Sequence, residues 1–257
     1  MIGKKCLIVN ADDFSMSPGV NRGIIKTHEC GITTSASLMV RRQAAAEAAS
    51  YGRRQMNFSL GIHIDLGEWV YDAGKWLPIY QRVNIYDAKA VAEEVTSQLK
   101  IFLKLVGGYP THLDSHQHVH LREPVRSILL QLANKLKIPL RSFSHKVQYC
   151  GKFYGQTTEG FPMPGVISES SLLTILKSLP PGYTELSCHP GEANDVKTVY
   201  QTERLQEVNI LCNPQFRKDL ASLDIQLCSF STIDAWLRKP HVGKGVKRFS
   251  STPSVPV

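Results

Sequence analysis

The sequence predicts an α/β protein in which helices cover a parallel sheet or barrel. Short apolar runs of β type alternate with longer stretches of helical period from residue 6 to residue 229, with no internal repeat and no linker. The size fits the same class. The chain has 257 residues, 42% hydrophobic and 20% charged, and barrels commonly run to about 250 residues as one unit. A chain this long buries roughly 70–75% of its unfolded surface, so it needs neither disulfides nor a structural metal to fold. Composition excludes disordered, collagen-like and disulfide-stapled proteins.

The elements follow in order. Cys6-Leu7-Ile8-Val9 is an apolar run too short for a signal peptide and reads as a buried first strand. Ser17-Pro18 supplies an N-cap and a first-turn proline; Val20, Ile24 and Ile25 form an apolar stripe and Gly31 a stop. Strands are predicted at 33–40 and 58–64. A helix over 88–106 carries Val91, Val95, Leu99, Phe102 and Val106 at helical spacing and ends in Gly107-Gly108. A strand at 110–114 precedes a helix that starts at Pro124, with Val125, Ile128, Leu129 and Leu132 on one face. Strands at 138–143, 183–188 and 225–229 complete the pattern.

No apolar run approaches the roughly 18–20 residues of a membrane span, so no membrane role is expected. The six cysteines (6, 30, 150, 188, 212 and 228) are widely spaced without C-x-x-C, which fits reduced thiols and a cytoplasmic location. The net charge is +8, but Arg238, Lys239, Lys244, Lys247 and Arg248 contribute five of those charges with no acid after them. The remainder, +3 over 237 residues, is ordinary. Residues 1–237 are therefore expected to form the folded domain. Residues 238–257 read as a basic, Ser/Pro-rich tail that is a solvated terminus rather than a nucleic-acid arm.

In folds of this class, active sites collect at the C-terminal ends of the strands. The first strand runs into Asn10-Ala11-Asp12-Asp13-Phe14; an isolated acid pair there is more often a turn cap. The third ends Gly61-Ile62-His63-Ile64-Asp65, and a lone His on an apolar strand is more often a core residue than a ligand. The fourth leads into Thr111-His112-Leu113-Asp114-Ser115-His116-Gln117-His118-Val119-His120, with four of the nine histidines. On an extended strand His116 and His118 share a face and both reach one ion, whereas the whole even-numbered set spans roughly 26 Å. Leu186-Ser187-Cys188-His189-Pro190-Gly191 adds another His at a strand end. Each feature has a bland reading alone; four strand ends contributing Asp, His, His and His is a rarer coincidence. One carboxylate and two imidazoles suit an open divalent-metal site, a neighbouring acid can take a proton from water, and a separate His can protonate a leaving group. Hydrolysis of an amide or ester follows. Spacing alone leaves the choice between His116 and His118 open.

Those strings, ordered over most of residues 5–191, resemble the YdjC-like carbohydrate deacetylases, which include chito-oligosaccharide deacetylases. The resemblance implies a single-domain deformed (β/α) barrel of the polysaccharide-deacetylase type and metal-dependent removal of acetyl groups from N-acetylated sugars. It implies Asp13, His63 and His116 as metal ligands, Asp12 as general base and His189 as general acid. It implies one divalent ion, magnesium or zinc, and an N-acetylated saccharide as partner. Many relatives carry Gly where this chain has Ser15, and a positive φ there costs Ser about 1 kcal/mol. Asp114 is a candidate for orienting a ligand and His118 for a supporting or substrate contact. Arg141 is a candidate for holding the base ionised, although a surface position is the commoner fate of an Arg. Trp76 lies in the aperiodic stretch 67–80, read as a loop, and Tyr154 in the Gly-hinged stretch 153–160; both are candidate sugar contacts. The competing reading is a metal-dependent amidohydrolase or phosphoesterase for a non-sugar substrate. The oligomeric state stays open, a homodimer included.

Overall fold

The computed structural model describes residues 3–163, 165–192, 195 and 198–237; the predicted tail 238–257 lies outside them. Strand β1 (Lys5–Phe14) is the centre of the molecule, and its residues from Cys6 to Phe14 are all buried. Such an unbroken buried run is what a parallel strand covered on both faces requires. Helix α1 (Pro18–Glu29) follows at once because Ser17 Oγ accepts the Val20 amide at 3.1 Å and Pro18 sits in the first turn. The chain continues through β2 (Ser35–Leu38), α2 (Ala45–Arg54) and β3 (Ser59–Ile64).

An antiparallel hairpin, β4 (Gly67–Asp72) and β5 (Lys75–Gln81), stands apart from the main sheet. This corrects the expected loop over 67–80. Ala73 (φ 45°) and Gly74 (φ 83°) form a two-residue turn with both φ positive, the geometry that suits a twisted hairpin. Helix α3 (Ala88–Val106) is stopped, as its sequence predicts, by Gly107 in the left-handed region (φ 77°), and its N-terminus is capped by Asp87. It buries Val91, Val95 and Phe102 against the core, each contributing about 1.5–3 kcal/mol relative to exposure.

Strand β6 (Leu113–Ser115) ends in a 3₁₀ segment, His116–Leu121, before α4 (Val125–Leu136). The predicted strand at 138–143 does not form. Pro139 lacks a donor, Ser142 turns to φ 66°, and only a single bridge, Leu113 to Leu140, remains. Strand β7 (Val147–Cys150) follows and pairs with β8, at the other end of the sheet from β6. After α5 (Glu169–Ser178), β8 (Gly182–Cys188), α6 (Thr202–Leu211) and α7 (Gln215–Ser222), the short β9 (Ile225–Leu227) leads to α8 (Phe230–Leu237).

The seven-stranded sheet has the order β6-β3-β2-β1-β8-β7, entirely parallel. Strand β9 pairs with residues 5–7 of β1, on the edge whose later residues pair with β2. The sheet curls into a half-barrel. Two glycines allow close approaches within the fold. A Cβ on Gly61 would meet the His112 ring at 2.4 Å, and one on Gly23 would meet the Gly191 backbone at 2.4 Å. The second contact seats α1 on the turn that follows His189. Among the described residues no helix is long and apolar enough to cross a membrane.

Candidate active site

Adjacent residues of a regular strand face opposite sides, yet Asp12 and Asp13 are both buried at the same rim. The backbone explains this. Asp13 lies at φ 63°, and the β1–β2 register shifts between Ala11 and Phe14. Ser15 does adopt the positive φ, 82°, held by its amide to Asn21 Oδ1 (2.8 Å) and its hydroxyl to the Met39 carbonyl (2.5 Å). Gln117 and His118 are also left-handed (φ 49° and 53°). Strained backbone therefore gathers at this rim.

Asp13, His63 and His116 converge, all buried. Asp13 Oδ1 lies 3.3 Å from His63 Nε2 and 2.9 Å from His116 Nδ1. Donors bound at roughly 2.0–2.2 Å to one ion stand about 3 to 3.5 Å apart, so the three atoms fit a shared divalent cation. His116 Nε2 is buried with no hydrogen-bond partner among the described residues. Arg204 holds the other oxygen of Asp13 at 2.7 Å. Burial would lower both imidazoles, but Asp114, aided by Asp13, raises His63 to about 10 and Asp13 raises His116 to about 9. The pocket calls for positive charge at this point.

Asp12 sits beside the triad in a separate network. Arg141 is buried, not superficial, and grips Asp12 through two bonds of 2.5 and 2.7 Å. The same guanidinium reaches Asp114 Oδ2 at 2.8 Å and Glu185 Oε1 at 2.6 Å. Burial would raise Asp12, but Arg141 holds its carboxyl below the ordinary range. One guanidinium cannot match three carboxylates, and burial pushes Glu185 up to about 7 against the pull of Arg141. Asp114 Oδ1 accepts His63 Nδ1 at 2.8 Å, which leaves Nε2 toward Asp13. Beneath them Ser37 Oγ donates to Asp114 Oδ2 at 2.6 Å and contacts His112 Nε2 at 3.0 Å.

His189 Nε2 is 3.7 Å from Asp12 Oδ2. Burial brings this imidazole down to about 4, although Asp12 and Asp13 pull the other way. Its backbone amide donates to Glu207, which also accepts the Tyr200 hydroxyl at 2.5 Å. Tyr154 stacks on Tyr200 (4.5 Å, 8° between planes) and packs against the His189 ring at 5.1 Å.

Of the predicted residues, Asp12, Asp13, His63, Asp114, His116, Arg141, His189 and Tyr154 meet at this rim. His118 does not share a face with His116, because the strand ends at Ser115 and the chain turns; its Nε2 contacts the Tyr149 hydroxyl at 3.2 Å. Trp76 packs on Tyr71 (5.4 Å) beside the hairpin turn. Sequence reasoning missed Glu68, Glu185, Arg204 and Glu207. Glu185, an acid inside an apolar strand, carried a readable signal; the others carried none.

The fold is a curled parallel half-barrel, of the deformed (β/α)-barrel type found in polysaccharide deacetylases. The sequence model of the YdjC-like protein family matches residues 6–222, and the chain belongs to that family. A chitooligosaccharide deacetylase from Yersinia enterocolitica serotype O:8 / biotype 1B is 30% identical over 250 residues, 89% of this chain and 99% of the relative. A solved structure from Enterococcus faecalis V583, provisionally described as a cellobiose-phosphate cleavage protein, superposes with a TM-score of 0.70 at 24% identity, covering 90% of this chain and 99% of the other. A family 4 acetyl xylan esterase from Clostridium thermocellum, solved with a cobalt ion, shares the fold at a TM-score of 0.52 and 13% identity, covering 90% and 91%.

Proposed function

We propose that this chain is a metal-dependent deacetylase that hydrolyses the acetamide of N-acetylated sugars or short oligosaccharides to acetate and a free amine. The observation that carries this reading is the pairing of a convergent Asp13–His63–His116 set with an ionised Asp12 beside it. Those three side chains would hold one divalent ion, and their mixed nitrogen and oxygen donors suit zinc or a similar transition ion better than magnesium. When bound, the ion supplies Lewis acidity for the acetyl carbonyl and for water.

Asp12, kept ionised by Arg141, takes the proton of the attacking water. His189 is neutral at pH 7, so it does not start as an imidazolium donor. The proton it gives to the departing amine arrives during the cycle, from the water through Asp12, 3.7 Å away. Tyr154, packed on His189, offers a ring face to the sugar.

Acetate release from N-acetylated mono- and oligosaccharides tests the reading. Metal-dependent release is expected, lost with chelator, restored by metal, and lowered about 10²–10⁴-fold in Asp12→Asn. In the same panel Tyr154→Ala raises KM more for long than for short substrates. No release from any sugar by the metal-loaded protein would shift the assignment to another amide or to a phosphoester.

A further inference from the structure

The two imidazoles of the candidate centre are turned in opposite senses. His63 presents Nε2 to Asp13 and has Asp114 behind Nδ1. His116 presents Nδ1 to Asp13 at 2.9 Å, so its Nε2 points away from the shared carboxylate. That nitrogen is buried without a hydrogen-bond partner among the described residues, and the carboxylate it faces is Glu68, whose Oε2 is 3.7 Å away. Glu68 is itself buried, and its other oxygen accepts the Thr198 hydroxyl at 2.8 Å. It stands at the base of β4, next to a register shift between Glu68 and Trp69. The hairpin is fastened to the residue after His116: the Gln117 side chain accepts the Trp69 amide at 2.9 Å and donates to the Trp69 carbonyl at 2.8 Å. His116 and Glu68 are thus held next to each other by their immediate neighbours.

We propose that Glu68 is a positioning residue for His116: it accepts the Nε2–H of that ring and so leaves Nδ1 as the nitrogen for the ion. The inference rests on the metal-site reading above. At 3.7 Å the contact is longer than a formed hydrogen bond, and a small ring rotation closes it. Glu68 is not a ligand itself, because it is outside the set of converging donor atoms. Each ligand imidazole then has its own carboxylate, Asp114 for His63 and Glu68 for His116. Such partners commonly govern metal affinity by about 10–100-fold. The hairpin, which pairs with no strand of the main sheet, becomes part of the centre.

The test uses zinc-loaded protein with ¹⁵N-labelled histidine. Long-range ¹H–¹⁵N correlations report which ring nitrogen carries metal and which a proton. The expected pattern is His63 metallated at Nε2 and His116 at Nδ1, with His116 Nε2 protonated. Zinc affinity, measured by chelator competition, should fall about 10–100-fold in Glu68→Ala. It should recover most of the way in Glu68→Gln, whose amide oxygen still accepts the N–H. Thr198→Val leaves the ring and the Glu68 carboxylate in place but removes the hydroxyl that holds that carboxylate, and should lose about two- to fivefold. His116 metallated at Nε2, or a Glu68→Ala affinity within twofold of wild type, overturns the proposal while leaving the deacetylase reading standing. Wild-type protein that binds no zinc overturns both.

Discussion

At the scale of single residues, Arg141 and the two ligand imidazoles carry the sharpest consequences. Arg141 grips Asp12 with two nitrogens, a fork that lysine cannot copy. Since Arg141 holds the Asp12 carboxyl down, Arg141→Lys lets its pKa rise. The acid limb of the kcat/KM profile should then move to higher pH, with activity about 10–100-fold lower. An unmoved acid limb would remove Arg141 from control of the base. His63 and His116, raised to about 10 and 9, both hold protons at pH 7 in the metal-free protein. Metal ligation needs them neutral, so binding should release about two protons at pH 7 and tighten as pH climbs toward 9. Titration calorimetry in buffers of different ionisation enthalpy counts those protons; a count of zero would take both imidazoles out of the ligand set.

At the scale of elements, packing against a glycine fixes how neighbouring strands are seated. Gly61 on β3 leaves room for the His112 ring, which stacks on Phe230 at 3.9 Å and bonds Ser37 and Thr111. Gly61→Ala should lower stability by about 1–3 kcal/mol, read as a drop in Tm, because three contacts of one ring must shift together. The strands that hold Asp12, Asp13, His63 and Asp114 were legible in sequence, since buried parallel strands are apolar runs with polar residues at one end. The hairpin was not: Pro78 and the bulge at Glu68 interrupt the alternation that marks a strand. Strand β7 is four residues long, too short to stand out against the more apolar 138–143. The partners missing from the site reading came with it. Glu68 belongs to the unread hairpin, while Arg204 and Glu207 lie on α6, where nothing in their spacing points to β1.

At the scale of the whole molecule, β6 and β7 are the two ends of the hydrogen-bonded sheet, so the curl has an open side. Segment 138–143 runs along β6 there, with the Leu113 amide bonded to the Pro139 carbonyl (3.0 Å) and the Arg141 amide to the Leu113 carbonyl (2.9 Å). From that segment the Arg141 side chain crosses the interior to Asp12 on β1 and Glu185 on β8. The same side chain thus clamps the base and ties the half-barrel across its gap. Local openings begin where hydrogen bonding is sparse, and here the two backbone bonds of a single bridge do what a ladder does elsewhere. When that side gapes, Asp12 loses its counter-charge and takes up a proton, although the β1–β8 ladder is still intact. Warming should therefore silence the enzyme before it melts: activity assayed at temperature should fall several degrees below the circular dichroism midpoint and return on cooling. Coincident curves would show that the open side and the core give way as one.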